Sequence, residues 1–551
     1  MSIRSRLRDS SALAGGVFAA LLLAAPAFAQ DAQPAPQDDP EAEEAAALGD
    51  VIVTGSRIPQ NEFTSPSPLQ VLTSERAEQR GLSDTAQLLQ SSTLAAGSPQ
   101  VNSTISSAFV TDGGPGASTI SLRGLGANRT LVLLNGRRAG PAGTRGGVSA
   151  FDLNVIPQSA INRIDVLKDG ASSIYGSDAV AGVVNLITER ARDGGEMAAF
   201  ASLPFEQGGE QYNVSGSFGK TFDRGYINFS ADYYLQEELT AGDRDYLNCR
   251  QQYVFEPGTR NRADRIDPRT GQPTCNDLVW GQVYVYGPDF SGRAGRFQFD
   301  YDGDLGTYIP TRPTNPAVSA MYPTAPAGFY IVNYDAPSRA VVNALHPFAL
   351  EESIVPETER FTAFVEGAYD LGGGVEAYTE LLLNRRESRT NSYRQFWNYT
   401  YTADFLDFYY GPGAGGDPVT GFTGLNFLSA TPITDHFDQS QTVDYARVVL
   451  GLRGDIGGGF LEGWKWDVFG QYSRSDGEYN SDVILQDAVD STSFKTASCV
   501  GDILPVSGRP CIDVDFTRPG FLAGDLTQAE RDFLFDNETG NTIYEQTYLE
   551  G

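Results

Sequence analysis

Histidine is nearly missing from this chain. His346 and His436 are the only two in 551 residues, and methionine occurs three times, tryptophan four and cysteine four. Two imidazoles far apart in sequence leave little for a His-based catalytic triad or a His-rich metal centre. Basic charge is short as well: 40 Lys and Arg stand against 70 Asp and Glu, a net charge of −30. That balance argues against nucleic acid as a partner, because phosphate recognition needs a basic face. Past the first 29 residues no apolar run reaches ~18 residues, which excludes a transmembrane helix in the mature chain.

What is abundant is glycine (60), phenylalanine (31) and tyrosine (26), a composition suited to a β-rich envelope protein. Residues 1–29 read as a cleaved secretory signal: Arg4, Arg6 and Arg8 form a basic start, 13–25 is apolar, and Ala27-Phe28-Ala29 is a small-x-small cleavage site. Residues 30–49 are Ala, Pro, Gln and acid, a flexible linker unable to bury a core. Cys249 and Cys275, and Cys499 and Cys511, form two sequence-local pairs. In an exported chain such pairs favour disulfides that clip long loops. Zinc is the alternative, but the intervals are wide and no histidine lies near.

Asp50-Val51-Ile52-Val53-Thr54-Gly55 breaks the linker pattern with a β-branched run. It reads as the first strand of the next domain or as a strand offered to a partner's sheet edge, and pattern alone favours the first. Residues 62–190 then look like a small mixed α/β domain. Strands are expected at 69–72, 131–134, 161–168 and 182–188, with short helices capped by Ser74 and Ser83. Asn135-Gly136, directly after a buried-type strand, is a strong hairpin signal, and Pro157 stands where a helix can start.

From about residue 195 the pattern changes to strict alternation. Segments 211–218, 226–235 and 464–473 each carry one apolar and one polar face, and 361–370, 375–384 and 443–452 do so less cleanly. Strands of ~10 residues with two such faces are the signature of a transmembrane barrel; a soluble sandwich also alternates, with shorter strands and more even turns. The connections here are uneven. Tight turns at 220–225, 371–374 and 455–463 alternate with long connections at about 236–360, 385–442 and 475–541. If 196–203 is the first strand and runs outward, every tight turn lands on the side where the 62–190 domain joins. The long connections, with both cysteine pairs, then face outside; 283–286 reads as a further strand within them.

Enzyme motifs fail on inspection. Gly124-Leu125-Gly126 lacks the third glycine of a dinucleotide fingerprint, and Gly219-Lys220-Thr221 has Val214 where a P-loop needs glycine. Gly170-Ala171-Ser172 has Ile174 in place of the closing glycine of a nucleophile elbow. Asp300, Asp302 and Asp304 hint at a calcium loop, but Leu305 replaces the required glycine. The reading is therefore of a non-enzyme without catalytic residues, metal or cofactor.

Four motifs in fixed order carry a resemblance: Arg123-Gly124; Leu131-Val132-Leu133-Leu134-Asn135-Gly136; the run from Ile164 through Lys168-Asp169-Gly170 to Tyr175-Gly176; and the run from Ala181-Gly182 to Thr188. Over about residues 50–235 the chain resembles the plug domain of TonB-dependent outer-membrane receptors, with the following barrel strands agreeing in architecture. The resemblance implies a mixed α/β plug domain (62–190) followed by antiparallel transmembrane β-barrel strands (195–551). It also implies a TonB box at 50–58, carried by Asp50, Val51, Ile52, Val53, Thr54 and Gly55, which reverses the weighting of that segment. The implied partners are the periplasmic C-terminal domain of TonB, outer-membrane lipid, a small or medium nutrient ligand, and a surface lipoprotein as in related glycan importers. Lys168-Asp169-Gly170 stands where many siderophore-type members carry Lys-Gly-Pro, so carbohydrate stands beside siderophore as cargo. Substrate contacts are expected from loops near 93–118 and 137–150. A non-transporting adhesin or sensor and a soluble exported β-rich binding protein are the competing functions. About eight strands are countable, whereas a plug-holding lumen needs ~22, so the barrel is expected to be incomplete in this chain.

Overall fold

The computed structural model describes residues 69–73, 82, 84–93, 95–102, 113–144, 150–168, 172–251, 253–275, 278–287, 293–305, 325–332, 341–414 and 421–551. The segment 50–55 and residues Ser74, Ser83, Asp169 and Gly170 lie outside them.

Five strands form the plug sheet, in the order Leu69–Thr73, Ile161–Leu167, Gly182–Thr188, Thr130–Leu134, Arg137–Arg138. Only the pair Thr130–Leu134 with Gly182–Thr188 is parallel. Both strands are mainly apolar because both of their faces are covered, Asn185 being the polar exception inside Gly182–Thr188. Val132, Leu134, Val184 and Leu186 point into a core with Leu88, Leu89, Ile120 and Leu153. Leu131, Leu133 and Val183 point the other way, against Leu167 and Ala179. Asn135 (φ 52°) and Gly136 (φ 81°) turn the hairpin, with the paired left-handed conformations of a type I′ turn. The helix Thr85–Gln90 is capped by Asp84, whose carboxylate accepts the Gln87 N–H at 2.8 Å. The cap thus falls one residue past the serine that the sequence suggested, and Asp serves the same role. Pro157 starts only a single 3-10 turn, Gln158–Ala160.

Eight antiparallel strands follow in one sheet, each paired with its neighbours in chain order: Gly194–Ser202, Gln211–Phe222, Gly225–Gln236, Glu357–Gly372, Val375–Thr390, Gln439–Asp455, Lys465–Ile484 and Phe535–Glu550. The sheet is not closed among the described residues, the first and last strands being its edges. Polarity is inverted relative to a water-soluble sheet. On Glu357–Gly372 the exposed face carries Phe361, Tyr369 and Leu371, whereas Thr358, Arg360, Thr362 and Glu366 are buried. On Val375–Thr390, Leu381 and Leu383 are exposed while Glu380, Asn384 and Arg386 are buried. An apolar strip of ten or so residues, tilted, covers the ~25 Å lipid-facing band of an outer-membrane barrel. Directly above Phe361 and Leu383 the outward face turns ionic: Arg385 meets Asp444 at 3.5 Å and Arg474 meets Glu545 at 3.0 Å. Such exposed pairs contribute little stability. They mark where the apolar band stops.

The three long connections pack on one another. The first supplies Gln282–Tyr286, Arg293–Phe299 and Phe329–Ile331, and the second supplies Asn398–Tyr401 and Phe427–Thr431; together they make one five-stranded sheet, joined where Gln282–Tyr286 pairs with Phe427–Thr431. The third covers it with the helices Gln486–Thr492, Pro519–Leu522 and Gln528–Leu534. Val283, Val285 and Phe297 from the first, Phe396 and Leu428 from the second, and Phe516, Phe521 and Leu534 from the third share one core. The disulfide Cys499–Cys511 lies inside that core, and Cys249–Cys275 closes an arm off the first connection. His346 ties first to third: Nδ1 accepts the Phe348 N–H (3.1 Å), which leaves the ring proton on Nε2 to donate to the Ala523 carbonyl (3.0 Å). The imidazole also stands edge-on to Trp280 at 4.5 Å.

Two outcomes follow. Phe521→Ala removes a fully buried ring, a change costing about 3–5 kcal/mol. Hydrogen exchange will rise in strands of the first and second connections, not only in the third. Burial pushes the His346 imidazole down to about 4, below its unfolded value of ~6.5. The folded ring therefore stays neutral where the unfolded ring takes a proton. The stability it contributes is complete above pH ~6.5 and declines as pH falls towards about 4. Melting followed by tryptophan fluorescence at pH 7 and pH 5 will show a smaller pH difference in His346→Gln than in the parent; an equal difference would assign the effect to other groups.

Candidate functional site

The plug meets the inward face of the eight strands, and the inversion of polarity decides what it meets. That wall presents mainly amides, hydroxyls and ions, which the plug answers with polar groups at strand ends and turns, while Phe364, Leu382 and Tyr445 extend the plug's apolar core. Asn135, held left-handed in its turn, aims its side chain at the wall. Its Nδ2 donates to Glu380 Oε1 (2.9 Å), and its Oδ1 accepts the Thr188 N–H (3.0 Å). Arg137, two residues on, donates to the same Glu380 oxygen at 2.9 Å, and its guanidinium lies over the rings of Tyr378 and Phe469. The second Glu380 oxygen accepts from Arg447 of the next strand (2.9 Å), itself fixed by Gln471 Oε1 (2.8 Å). Glu366 faces Glu380 directly in the strand register; it accepts from Thr188 Oγ1 (2.6 Å) and Asn228 Nδ2 (3.1 Å). Glu366, Glu380, Arg137 and Arg447 are all buried.

A second station lies six residues further along the strand of Glu380, ~20 Å at strand rise. Arg386 pairs with Asp152, whose other oxygen caps the turn at Asn154 (3.0 Å) and holds the Ser118 N–H (3.0 Å). Arg360 donates to Asn154 Oδ1 at 2.5 Å. Between the stations the plug backbone itself reaches the wall: Arg138 O accepts from Gln471 (2.8 Å), and Gly143 N–H donates to Ser475 Oγ (3.1 Å). At Gly140 a Cβ would stand 2.2 Å from Ser473 Oγ, so glycine permits the approach. Such a seam is satisfied by direct partners now and by water if the surfaces part. An apolar seam of the same size would resist parting far more strongly.

The structure spreads the motif residues over two places. Asn135 stands in the seam, and Gly136 supports it by donating to Asn185 Oδ1 (2.9 Å). Arg123, Gly124, Lys168, Tyr175, Gly176 and Gly182 lie away from it. Arg123 donates to the Lys168 carbonyl (2.9 Å), and Gly124 N–H donates to Ser98 Oγ (2.7 Å). Tyr175 packs against the Leu131 and Leu133 cluster. Gly176 (φ 88°) sits in left-handed backbone, and a Cβ at Gly182 would meet the Leu167 carbonyl at 2.7 Å. Asp50, Val51, Ile52, Val53, Thr54, Gly55, Asp169 and Gly170 fall outside the described residues. Among the described residues no cluster of His, Cys, Asp or Glu is arranged to hold a metal. At the suspected calcium loop Arg269 supplies the cation, bonded to Asp267 at 2.8 Å and Asp304 at 2.9 Å. Lys220 pairs with Asp193 at 2.8 Å in the short turn region, not with a phosphate cradle.

Sequence reading missed Arg137, Asp152, Thr188, Glu366, Glu380, Arg386 and Arg447. One signal was present: Glu366, Glu380, Arg386 and Arg447 are charges at alternation positions opposite the lipid face, which an eight-stranded barrel filled by its own side chains does not need. Replacing Glu380 by Ala leaves Arg137 and Arg447 buried without their carboxylate, a loss of about 3–5 kcal/mol. Limited proteolysis in the short segment between plug and first strand (189–193) will then quicken in Glu380→Ala, while heat-modifiable migration of the barrel persists. Cleavage at the parental rate would remove Glu380 from any role in holding the plug.

The family model for the TonB-dependent receptor plug domain matches residues 61–183. An iron-regulated outer membrane virulence protein of Vibrio cholerae serotype O1 is 32% identical over 281 residues, covering 49% of this chain and 34% of its own; the chain thus spans about a third of that relative. Among solved structures, a mutant ferric enterobactin receptor (PfeA) of Pseudomonas aeruginosa aligns over 89% of this chain and 56% of its own, with 13% identity and a TM-score of 0.35. The siderophore receptor PiuA of Acinetobacter baumannii aligns over 91% and 58%, with 12% identity and a TM-score of 0.33. The chain thus carries a TonB-dependent receptor plug domain, matched in sequence over residues 61–183 and seated against strands whose apolar face points outward.

Proposed function

We propose that the complete receptor imports a bulky nutrient, a siderophore, a carbohydrate or a molecule of similar size, across the outer membrane by TonB-driven remodelling of the plug. The observation that supports this reading is the seam: a folded plug held to its wall by buried ions and hydrogen bonds centred on Glu380 and Asp152, with only Phe364, Leu382 and Tyr445 of the wall joining the plug's apolar core. Contacts of this kind are exchanged for water when a pulled segment leaves. They suit a plug that must be held and then shifted. Ligand arrives from the side of the long connections and reaches the plug loops near 113–116 and 139–144.

Force enters at 50–55. Val51, Ile52 and Val53 are β-branched, residue types that favour strand geometry. They pair as an added strand with the sheet of the TonB C-terminal domain, and Gly55 ends the pairing. No catalytic step is involved. The adhesin reading differs at one point: it has no use for this segment. Ile52→Pro removes a ladder N–H and fixes φ. Binding of the purified receptor to the TonB C-terminal domain will weaken at least about tenfold by biolayer interferometry, one main-chain bond and its geometry being worth ~1.4 kcal/mol or more. Ile52→Val will bind as the parent does. Unchanged binding by Ile52→Pro would overturn the assignment of the box and with it the transport mechanism.

A further inference from the structure

The arm closed by Cys249–Cys275 reverses the charge of its surroundings. Residues 250–274 carry five arginines (Arg250, Arg260, Arg262, Arg265, Arg269) against Glu256, Asp264 and Asp267, a net of +2 in a chain of −30. In the remainder of the first long connection, 237–249 and 275–356, twelve acids face five bases. The arm also presents rings that it leaves largely exposed. Tyr253 is 64% exposed, Phe255 51% and the preceding Tyr246 75%. None of the three joins a hydrophobic cluster of the described residues. The backbone is nevertheless ordered. Bridges at Gln251 with Cys275, Phe255 with Arg262 and Ile266 with Pro273 fold it back on itself, and Arg269 pins its side to Asp304. Arg262 lies 4.2 Å over the Tyr253 ring. Arg260 and Arg265 have no carboxylate within ion-pair distance among the described residues.

A clipped arm that orders cations and rings without burying them has already met the conformational cost of binding. Its root lies at the outer rim. Leu239–Thr240 pairs with Ser353–Val355 immediately beyond the outer ends of Gly225–Gln236 and Glu357–Gly372, at the rim above the apolar band. We propose that this arm docks on the phosphate-bearing headgroups of outer-leaflet glycolipid beside the barrel. Guanidinium groups match phosphate oxygens in pairs, and tyrosine rings suit a boundary that is apolar on one side and wet on the other. Net charge supplies the selectivity: elsewhere the outer connections repel anions, and here they attract them.

The test uses the whole receptor in detergent, titrated with lipid A as the bisphosphorylated probe, with inorganic phosphate and with polygalacturonate as a soluble polyanion. The triple variant Arg260→Gln, Arg262→Gln, Arg265→Gln will retain lipid A at least about fivefold more weakly at low salt, and the gap will narrow as ionic strength rises. Tyr253→Ala with Phe255→Ala will weaken retention at high salt as well, because ring contacts are not screened. Intact Cys249–Cys275 and normal heat-modifiable migration will show that each variant is folded. Equal retention by the triple variant would overturn the proposal. So would polygalacturonate binding as tightly as lipid A through the same arginines, since the occupant would then be a soluble polyanion.

Discussion

Hydrocarbon has no hydrogen bonds to offer, and the rest of this structure is arranged around that constraint. A strand in lipid must pair every backbone N–H and C=O within the sheet, which yields the unbroken antiparallel ladder from Gly194–Ser202 to Phe535–Glu550. The outward positions must be apolar, as Phe361, Leu381, Leu450 and Val468 are. Pleating leaves the alternate positions to the inside, where Glu366, Glu380, Arg386 and Arg447 are gathered. A plug seated against that wall finds apolar partners only at Phe364, Leu382 and Tyr445, and meets the rest of it with polar groups. Asn135, Arg137, Asp152 and Thr188 stand at turns and strand ends, where a polar side chain can leave the plug core without disturbing it.

The same physics separates two kinds of stability in one molecule. Inside the plug, Val132, Val184 and Leu186 are secured by burial. At the seam, charges are compensated pair by pair, and each pair is strong only while both members remain. Outside the membrane apolar burial returns: the core around Phe297, Leu428 and Phe521 binds three connections that the chain separates by a pair of strands each. Those connections are therefore one folded body and not three flaps. The Cys499–Cys511 disulfide in the third is positioned to stiffen the first and second through that shared core.

Much of this was legible because lipid and sheet impose period two. The parity of Phe361, Thr362, Val365 and Glu366 could be read without knowing any neighbour, as could the short turns near 223, 373 and 460. Asn135-Gly136 announced its hairpin because few other residue pairs tolerate two left-handed positions. The cap at Asp84 was missed by one residue because serine and aspartate offer the same acceptor. The core of the outer connections was illegible for a different reason. Phe396, Phe516 and Phe521 stand in segments with no period, and nothing local says that they meet.

The sequence by itself determined which positions face lipid and which face inward, where the chain turns, and that an apolar α/β domain precedes the strands, since each follows from a local repeat or a dipeptide geometry. Only tertiary structure decided that Glu380 is shared by Asn135, Arg137 and Arg447, that Asp152 answers Arg386, and that Arg269 occupies the acidic loop. Partners more than 200 residues apart in the chain are selected by register and by the need to compensate each buried charge, and neither leaves a trace in the spacing of the residues themselves.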